Sequence, residues 1–268
     1  MAHHLTMLSA FVLLWLGPAA CQMRCKLGQV KRSDGEFSLG NCDEVLLFGE
    51  KIGDSGAAAL ARSLASNTRT RVLDLWSNDI GAQGAIAIAR ALETNTKLDK
   101  LYLNENNIGH AGVEALAKAL ASRSTVLTTL WLSRNKLGDA GAQALAASLS
   151  GGKARRLQVL DLWDNGISSV GGAALATALR TNNVLLTLEI RGNALGDAGA
   201  KAFAELMPVN RVLSTLDLSS NGVSPAGAAT LLAGLKVAIA RPYLLLFVEH
   251  VPHMQATSWE QQGHANAP

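Results

Sequence analysis

Apolar residues recur along most of this chain at a period near 28 residues, and within each period their spacing changes. Around Asn78, leucines stand five and three positions before it (Leu73, Leu75) and Ile80 stands two after. Gly84 follows at plus six, and Ile88 and Leu92 at plus ten and plus fourteen. The first half alternates with period two, which predicts a strand; the second has apolar residues three and four apart, which predicts a helix face. Positions equivalent to Asn78 fall at Glu50, Asn106, Asn135, Asn165, Asn193 and Asn221, with spacings from the first of 28, 28, 29, 30, 28 and 28. The plus-six glycine recurs each time, at Gly56, Gly84, Gly112, Gly141, Gly171, Gly199 and Gly227. The extra residues fall near 123–124 and 150–152, at helix ends, where a loop can absorb them.

One strand–helix unit cannot bury its apolar side alone, so neighbouring units must stack and share a core. Successive strands then form a parallel sheet. Helices are wider than strands, so the stack curves with the sheet on its concave side. The Asn at each landmark is expected to be buried, its amide bonding backbone groups of its own repeat and the next. The LxLxxNxIxxxGxxxLxxxL pattern resembles the ribonuclease-inhibitor class of leucine-rich repeats, which includes the repeat domains of NOD-like receptors. The resemblance covers residues 44–235 and implies an α/β solenoid, or horseshoe: a parallel β-sheet on the concave face, α-helices on the convex face, and about seven repeats. No GxxxxGK[ST] accompanies it.

The ends differ from the repeats. Residues 5–16 form an apolar run too short to span a bilayer, followed by Gly17, Pro18 and small residues, as in an export signal. Residues 1–21 are therefore read as a signal peptide, with export to a secreted or extracellular location; a wrong start codon would make the chain cytoplasmic. Residues 22–43 read as an N-terminal cap or loop. Export would free Cys25 and Cys42 to pair in an oxidising compartment. Residues 237–248 are apolar but interrupted by Arg241 and Pro242, so no membrane span is expected. Adding 28 to Asn221 gives Glu249, which puts Leu244 and Leu246 in strand register and makes residues 243–247 an eighth, degenerate strand. The repeat domain is thus bounded at 44–251, and the polar residues 252–268 are read as a disordered tail.

Composition adds limits. Charged residues make up 17% of the chain and the net charge is +3, too weak to argue for nucleic acid. HExxH, GxSxG and GxGxxG are absent, and no metal or other cofactor is implied. His250 and His253 have no clear third ligand nearby. Specific chemistry is left to the outward strand positions. Four residues before the landmarks stand Asp74, Tyr102, Trp131, Asp161, Glu189 and Asp217; two before stand Phe48, Trp76, Asn104, Trp163 and Arg191; Arg134 stands one before. Tyr243 and Phe247 join them on the last strand. Core packing does not require aromatics there, and rings beside charges resemble interface hot spots. Asp161 and Glu189 sit on adjacent strands as an acid/base pair might, but an exposed acidic stripe explains them better. The face is net acidic, which suggests a protein partner with a basic patch. The reading is a non-catalytic, monomeric recognition module. The family resemblance also implies an alternative, a GTPase-activating protein like the regulator of Ran, which requires the cytosol. A third reading is an orphan fragment of a larger receptor.

Overall fold

The computed structural model describes residues 23–237 and 244–248. Strands and helices alternate in the order β1 (Arg24–Cys25), α1 (Leu27–Val30), β2 (Glu44–Leu46), α2 (Gly53–Ser66), β3 (Val72–Asp74) and α3 (Ala82–Leu92). They continue as β4 (Lys100–Tyr102), α4 (Gly109–Leu120), β5 (Thr129–Trp131), α5 (Gly138–Leu149), β6 (Val159–Asp161) and α6 (Ser169–Leu179). The last are β7 (Thr187–Glu189), α7 (Gly196–Leu206), β8 (Thr215–Asp217), α8 (Pro225–Val237) and β9 (Leu245–Phe247). All nine strands pair in chain order in one parallel sheet. Every strand–helix unit returns to the same side, so the leucines at minus five and minus three and the helix leucines form one continuous core. Leu73, Leu75, Ile80, Ile88 and Leu92 are each at most 1% exposed.

Adjacent helices need roughly 8–10 Å between axes, whereas adjacent strands need about 4.8 Å. Stacking the two at the same repeat bends the solenoid toward the sheet. None of the described helices is long and apolar enough to cross a membrane.

The landmark asparagines Asn78, Asn106, Asn135, Asn165 and Asn221 are buried, as their spacing predicts, and Asn193 is half-buried; they bond backward rather than forward. The Asn106 carbonyl oxygen accepts from the Asn78 and Ile80 amides at 3.0 and 2.9 Å. Its amide nitrogen donates to the Leu75 carbonyl of the preceding repeat at 3.0 Å and to its own Leu103 carbonyl at 2.9 Å. Asn135, Asn165, Asn193 and Asn221 each donate to the strand carbonyl one repeat earlier in the same way. Glu50, the first landmark, is exposed and stands outside this chain of amides.

A second ladder runs where helices return to strands, at plus seventeen. Asn95, Asn182 and Asn210 each donate to the carbonyl of a leucine closing the previous helix, at 2.7 to 2.9 Å. It is interrupted at the two longer repeats. After α4, buried Thr125 donates to Leu92 and Ala119 instead. After α5, a single 3-10 turn at Ser150–Gly152 carries the extra residues, with Gly151 and Gly152 at φ of 63° and 66°. Length variation therefore exchanges one polar link for another and leaves the core alone.

A third link caps helices across repeats. Asp54 accepts from the Gly81 and Gly84 amides at 2.6 and 2.9 Å. Asp139 does the same for Ser168 and Gly171, and Asp197 for Ser224. A carboxylate at a helix N-terminus satisfies free amides and suits the helix dipole.

The N-terminal end adds detail to one expectation and the C-terminal end corrects another. The N-terminal segment is more than a loop: β1 adds a strand to the sheet, and a Cys25–Cys42 disulfide ties it to the start of the first repeat. At the other end, β9 pairs Leu246 with Leu216 and Phe247 with Asp217. The last repeat is therefore two residues longer than a 28-residue step from Asn221 implies. A shift of two preserves which side chains face outward, because the strand period is two, so Phe247 stays on the outer face. Residues 1–21, Tyr243 and residues 252–268 lie outside the described residues.

Asn106→Ala would leave two buried amides and a buried carbonyl short of a partner. At about 1–3 kcal/mol for each buried group left unpaired, urea unfolding is expected to show a loss of at least about 3 kcal/mol. Asn193→Ala should cost less, because Asn193 is only half-buried and water can reach the gap.

Candidate functional site

The sheet register sets the candidate residues in rows. Residues four before the landmarks pair directly: Asp74 with Tyr102, Tyr102 with Trp131, Trp131 with Asp161, Asp161 with Glu189, Glu189 with Asp217, and Asp217 with Phe247. Parallel strands lie about 4.8 Å apart, so side chains in a row touch. Residues two before the landmarks form a second row, from Phe48 and Trp76 through Asn104, Ser133, Trp163 and Arg191. Just beyond each strand, the residue one before the landmark is left-handed in every repeat, including Glu105, Arg134 and Asp164 with φ of 53°, 55° and 52°. That turn places a third row at the ends of the strands.

The rings fall into three groups. Phe48 and Trp76 meet edge-on, centroids 5.2 Å apart. Tyr102 and Trp131 pack at 4.5 Å. Such pairs add about 0.5–1.5 kcal/mol beyond the area they bury. Trp163 has cations for neighbours: the Arg134 guanidinium carbon is 4.3 Å from its ring centre and that of Arg191 is 5.2 Å away. Trp163 also leans over Gly192, where an added Cβ would lie 2.7 Å from the indole nitrogen. Gly192 is the left-handed residue of its turn (φ 69°). It is the glycine that leaves this indole its place.

Charges sort themselves along the same rows. Arg134 bridges Glu105 at 2.7 Å and Asp164 at 3.3 Å, so one cation answers two acids at the strand ends. Asp74, Asp161, Glu189 and Asp217 form no ion pair among the described residues. Burial is the main cause that raises the Asp74, Asp161 and Glu189 pKa values above their ordinary range. For Asp161, the Trp163 amide and Ser133 hydroxyl oppose that shift and Asp217 adds to it. For Glu189, the charges of Asp161 and Asp217 add and Arg191 opposes. Tyr102 is raised as well, by burial first and then by Asp74, Glu44 and Asp99.

The structure brings the predicted residues onto one face but does not expose them equally. Phe48 is 58% and Trp76 38% exposed, while Tyr102, Trp131 and Trp163 are half-buried. Asn104 and Asp161 are each only 6% exposed, so they support the surface instead of forming an open part of it. Asp161 thereby departs from the expected exposed stripe, since its short side chain lies beside Trp131 in its row. Glu189 and Arg191 are exposed, and Asp74 and Asp217 are intermediate. Ser133, an outward strand residue outside the predicted set, joins Asn104 to Asp161. The Asn104 amide donates to Ser133 Oγ at 2.6 Å and lies 3.5 Å from Asp161. Among the described residues Asn104 Oδ1 has no donor. At the C-terminal end of the face, Trp163, Glu189, Arg191, Thr215, Asp217 and Phe247 line an open cavity of about 270 Å³.

A raised carboxyl pKa means that ionisation costs the folded state more than the unfolded chain. The penalty is fully present at neutral pH and is relieved as the pH falls through the folded-state pKa, before the unfolded aspartate protonates near 3.8. Asp161→Asn keeps an acceptor for the Trp163 amide and adds a donor that can serve the Asn104 carbonyl. The variant is therefore expected to be more stable than the wild type at pH 7, and the difference should shrink toward pH 4, as read by urea unfolding across that range.

Comparison with known proteins bears on the scaffold. A family model described as Leucine Rich repeat matches residues 71–89, 94–117, 123–146, 154–176, 181–204 and 209–232, more than half of the chain. Curated proteins yield no match. Among solved structures, actin-binding site 2 of leiomodin-1 is 18% identical over 67% of this chain and 87% of its own, with a TM-score of 0.40. A chain from the octameric complex of latrophilin 3, Unc5D and FLRT2 is 17% identical over 76% of this chain and 53% of its own, with a TM-score of 0.42. A protein from Bacteroides fragilis is 13% identical over 76% of this chain and 68% of its own, with a TM-score of 0.43. The match of six successive repeats, together with one parallel sheet backed by helices, establishes that the chain belongs to the leucine-rich repeat family.

Proposed function

We propose that this chain is a non-catalytic recognition module that holds a protein partner against the sheet face. Leucine-rich repeats typically serve as interaction scaffolds, and the side chains that vary along this scaffold support that use here. The observation that carries the reading is the band of rings from Phe48 and Trp76 through Tyr102 and Trp131 to Trp163, set on consecutive strands at outward positions. Large rings held by their neighbours lose little freedom on binding, and interfaces concentrate their energy on such anchors. The unpaired acids beside the band favour a partner with a basic patch.

The disulfide between Cys25 and Cys42 supports an oxidising compartment, and with it secretion, over the cytosol that a GTPase regulator requires. Mass mapping of protein collected from culture medium is expected to recover the two cysteines in one cross-linked fragment, resistant to thiol alkylation. Recovery of both as free thiols would count against the secreted reading.

The binding face is tested by combining Trp76→Ala, Trp131→Ala and Trp163→Ala. With the circular dichroism of the wild type retained, partner capture is expected to fall at least tenfold. Wild-type capture should also weaken as salt is raised, because rim charges are screened. Undiminished capture by the folded triple variant would refute the proposed face.

A further inference from the structure

The cavity at the C-terminal end of the face has a chemistry of its own. Glu189 and Asp217 are direct partners across β7 and β8. Among the described residues neither carries an ion pair, although Asp217 caps its own turn by accepting from the Ser219 amide at 2.9 Å. Two aromatic walls flank them: Trp163 from the repeat before and Phe247 from β9. Arg191 is the cavity's own cation, yet its guanidinium lies over the Trp163 ring, 5.2 Å from the centre, and it makes no ion pair with Glu189 among the described residues. The site is thus a pair of carboxylates between rings, with less positive charge than negative.

Its openness, more than its volume, bears on what class of occupant suits it. Pockets for small molecules run from about 300 to 1,000 Å³ and enclose most of the ligand. This cavity, at about 270 Å³ and open to solvent, suits one side chain of a larger partner. A planar guanidinium can give two parallel N–H bonds to a carboxylate while its face stacks on an aromatic ring. An ammonium is more strongly hydrated and offers no plane. The existing stack of Arg134 on Trp163, at 4.3 Å, shows the same pairing within the protein.

We propose that this cavity is an anchor for one arginine side chain of the protein partner, held by Glu189 and Asp217 between Trp163 and Phe247. The proposal rests on the reading of the face as a protein-binding surface and names the chemistry recognised at one end of it. The terminal strand then has a role beyond closing the sheet, since β9 supplies one wall of the anchor. Gly192 has a role as well, because its missing side chain lets the Trp163 wall stand where it does.

The test needs no identified partner. Full-length protein labelled with nitrogen-15 is titrated with the capped tripeptide Gly-Arg-Gly, and the tryptophan indole signals are followed by NMR. The Trp163 signal is assigned by its loss in Trp163→Phe. Saturable movement of that signal is expected with the arginine peptide, with at least tenfold weaker response to its citrulline and lysine counterparts. Glu189→Gln combined with Asp217→Asn should weaken the arginine response at least tenfold while the other indole signals stay in place. Gly192→Ala should weaken it too, by displacing the ring without touching a carboxylate. Absence of a saturable shift, an equal response to citrulline or lysine, or a response unchanged in the double variant would overturn the anchor. Because the peptide titration is independent of partner capture, loss of the anchor leaves the outcome of the triple tryptophan variant as a separate result.

Discussion

The structure depends on burying backbone that is not paired within its own repeat. After each three-residue strand the chain must turn toward a helix, and the turn leaves amides and carbonyls inside a core of leucine. Asparagine solves this because its side chain both donates and accepts, as a peptide group does. Asn106 takes two amides and gives to a carbonyl of the repeat before it. Repeated along the stack, such bonds tie each unit to its predecessor at the turn, while Asn95, Asn182 and Asn210 tie it at the return from the helix. The leucines supply most of the driving force; the asparagines determine that the units stack in one register.

That division of labour frees the outer face. Positions committed to the core and the ladders are nearly constant from repeat to repeat, so differences gather at the outward strand positions and the turn beyond them. Here they are graded along the solenoid. Rings dominate from Phe48 to Trp131, and unpaired acids from Asp161 to Asp217, with Trp163 and its two arginines between. On the proposed reading such a surface has direction: an apolar part of a partner would suit the first half and a cationic part the second. The buried set of Asn104, Ser133 and Asp161 lies beneath the junction, where desolvation opposes a full negative charge on Asp161.

Much of this was legible in the residues. The period of 28 located every strand from β2 to β8, and the burial of the landmark asparagines followed from the need to satisfy backbone. The direction of the asparagine bonds was not legible, because spacing alone does not say whether an amide reaches to the repeat before or after. The plus-seventeen asparagines carry no apolar periodicity, so hydrophobic spacing does not reveal their role. The observed register of β9 differs by two residues from the one a 28-residue step predicts, since consecutive leucines at 244–246 fit the strand pattern in either register. Only pairing with β8 distinguishes them.

The sequence by itself determined the solenoid, the number of repeats, and the outward placement of Trp76, Trp131, Trp163 and their acidic neighbours. These follow from local rules, in which a period of two gives a strand and residues three and four apart give a helix face. The tertiary structure decided which of those outward residues are available. Asn104 and Asp161 sink to 6% exposure while Trp76 and Glu189 remain open, because exposure depends on the size of the side chains on neighbouring strands some 30 residues away. For the same reason, only the folded chain could bring Phe247 and Trp163 to one cavity, with Glu189 and Asp217 on the strands between them. Pattern along the chain fixes the face on which a side chain lies; contact across the sheet determines what it meets there.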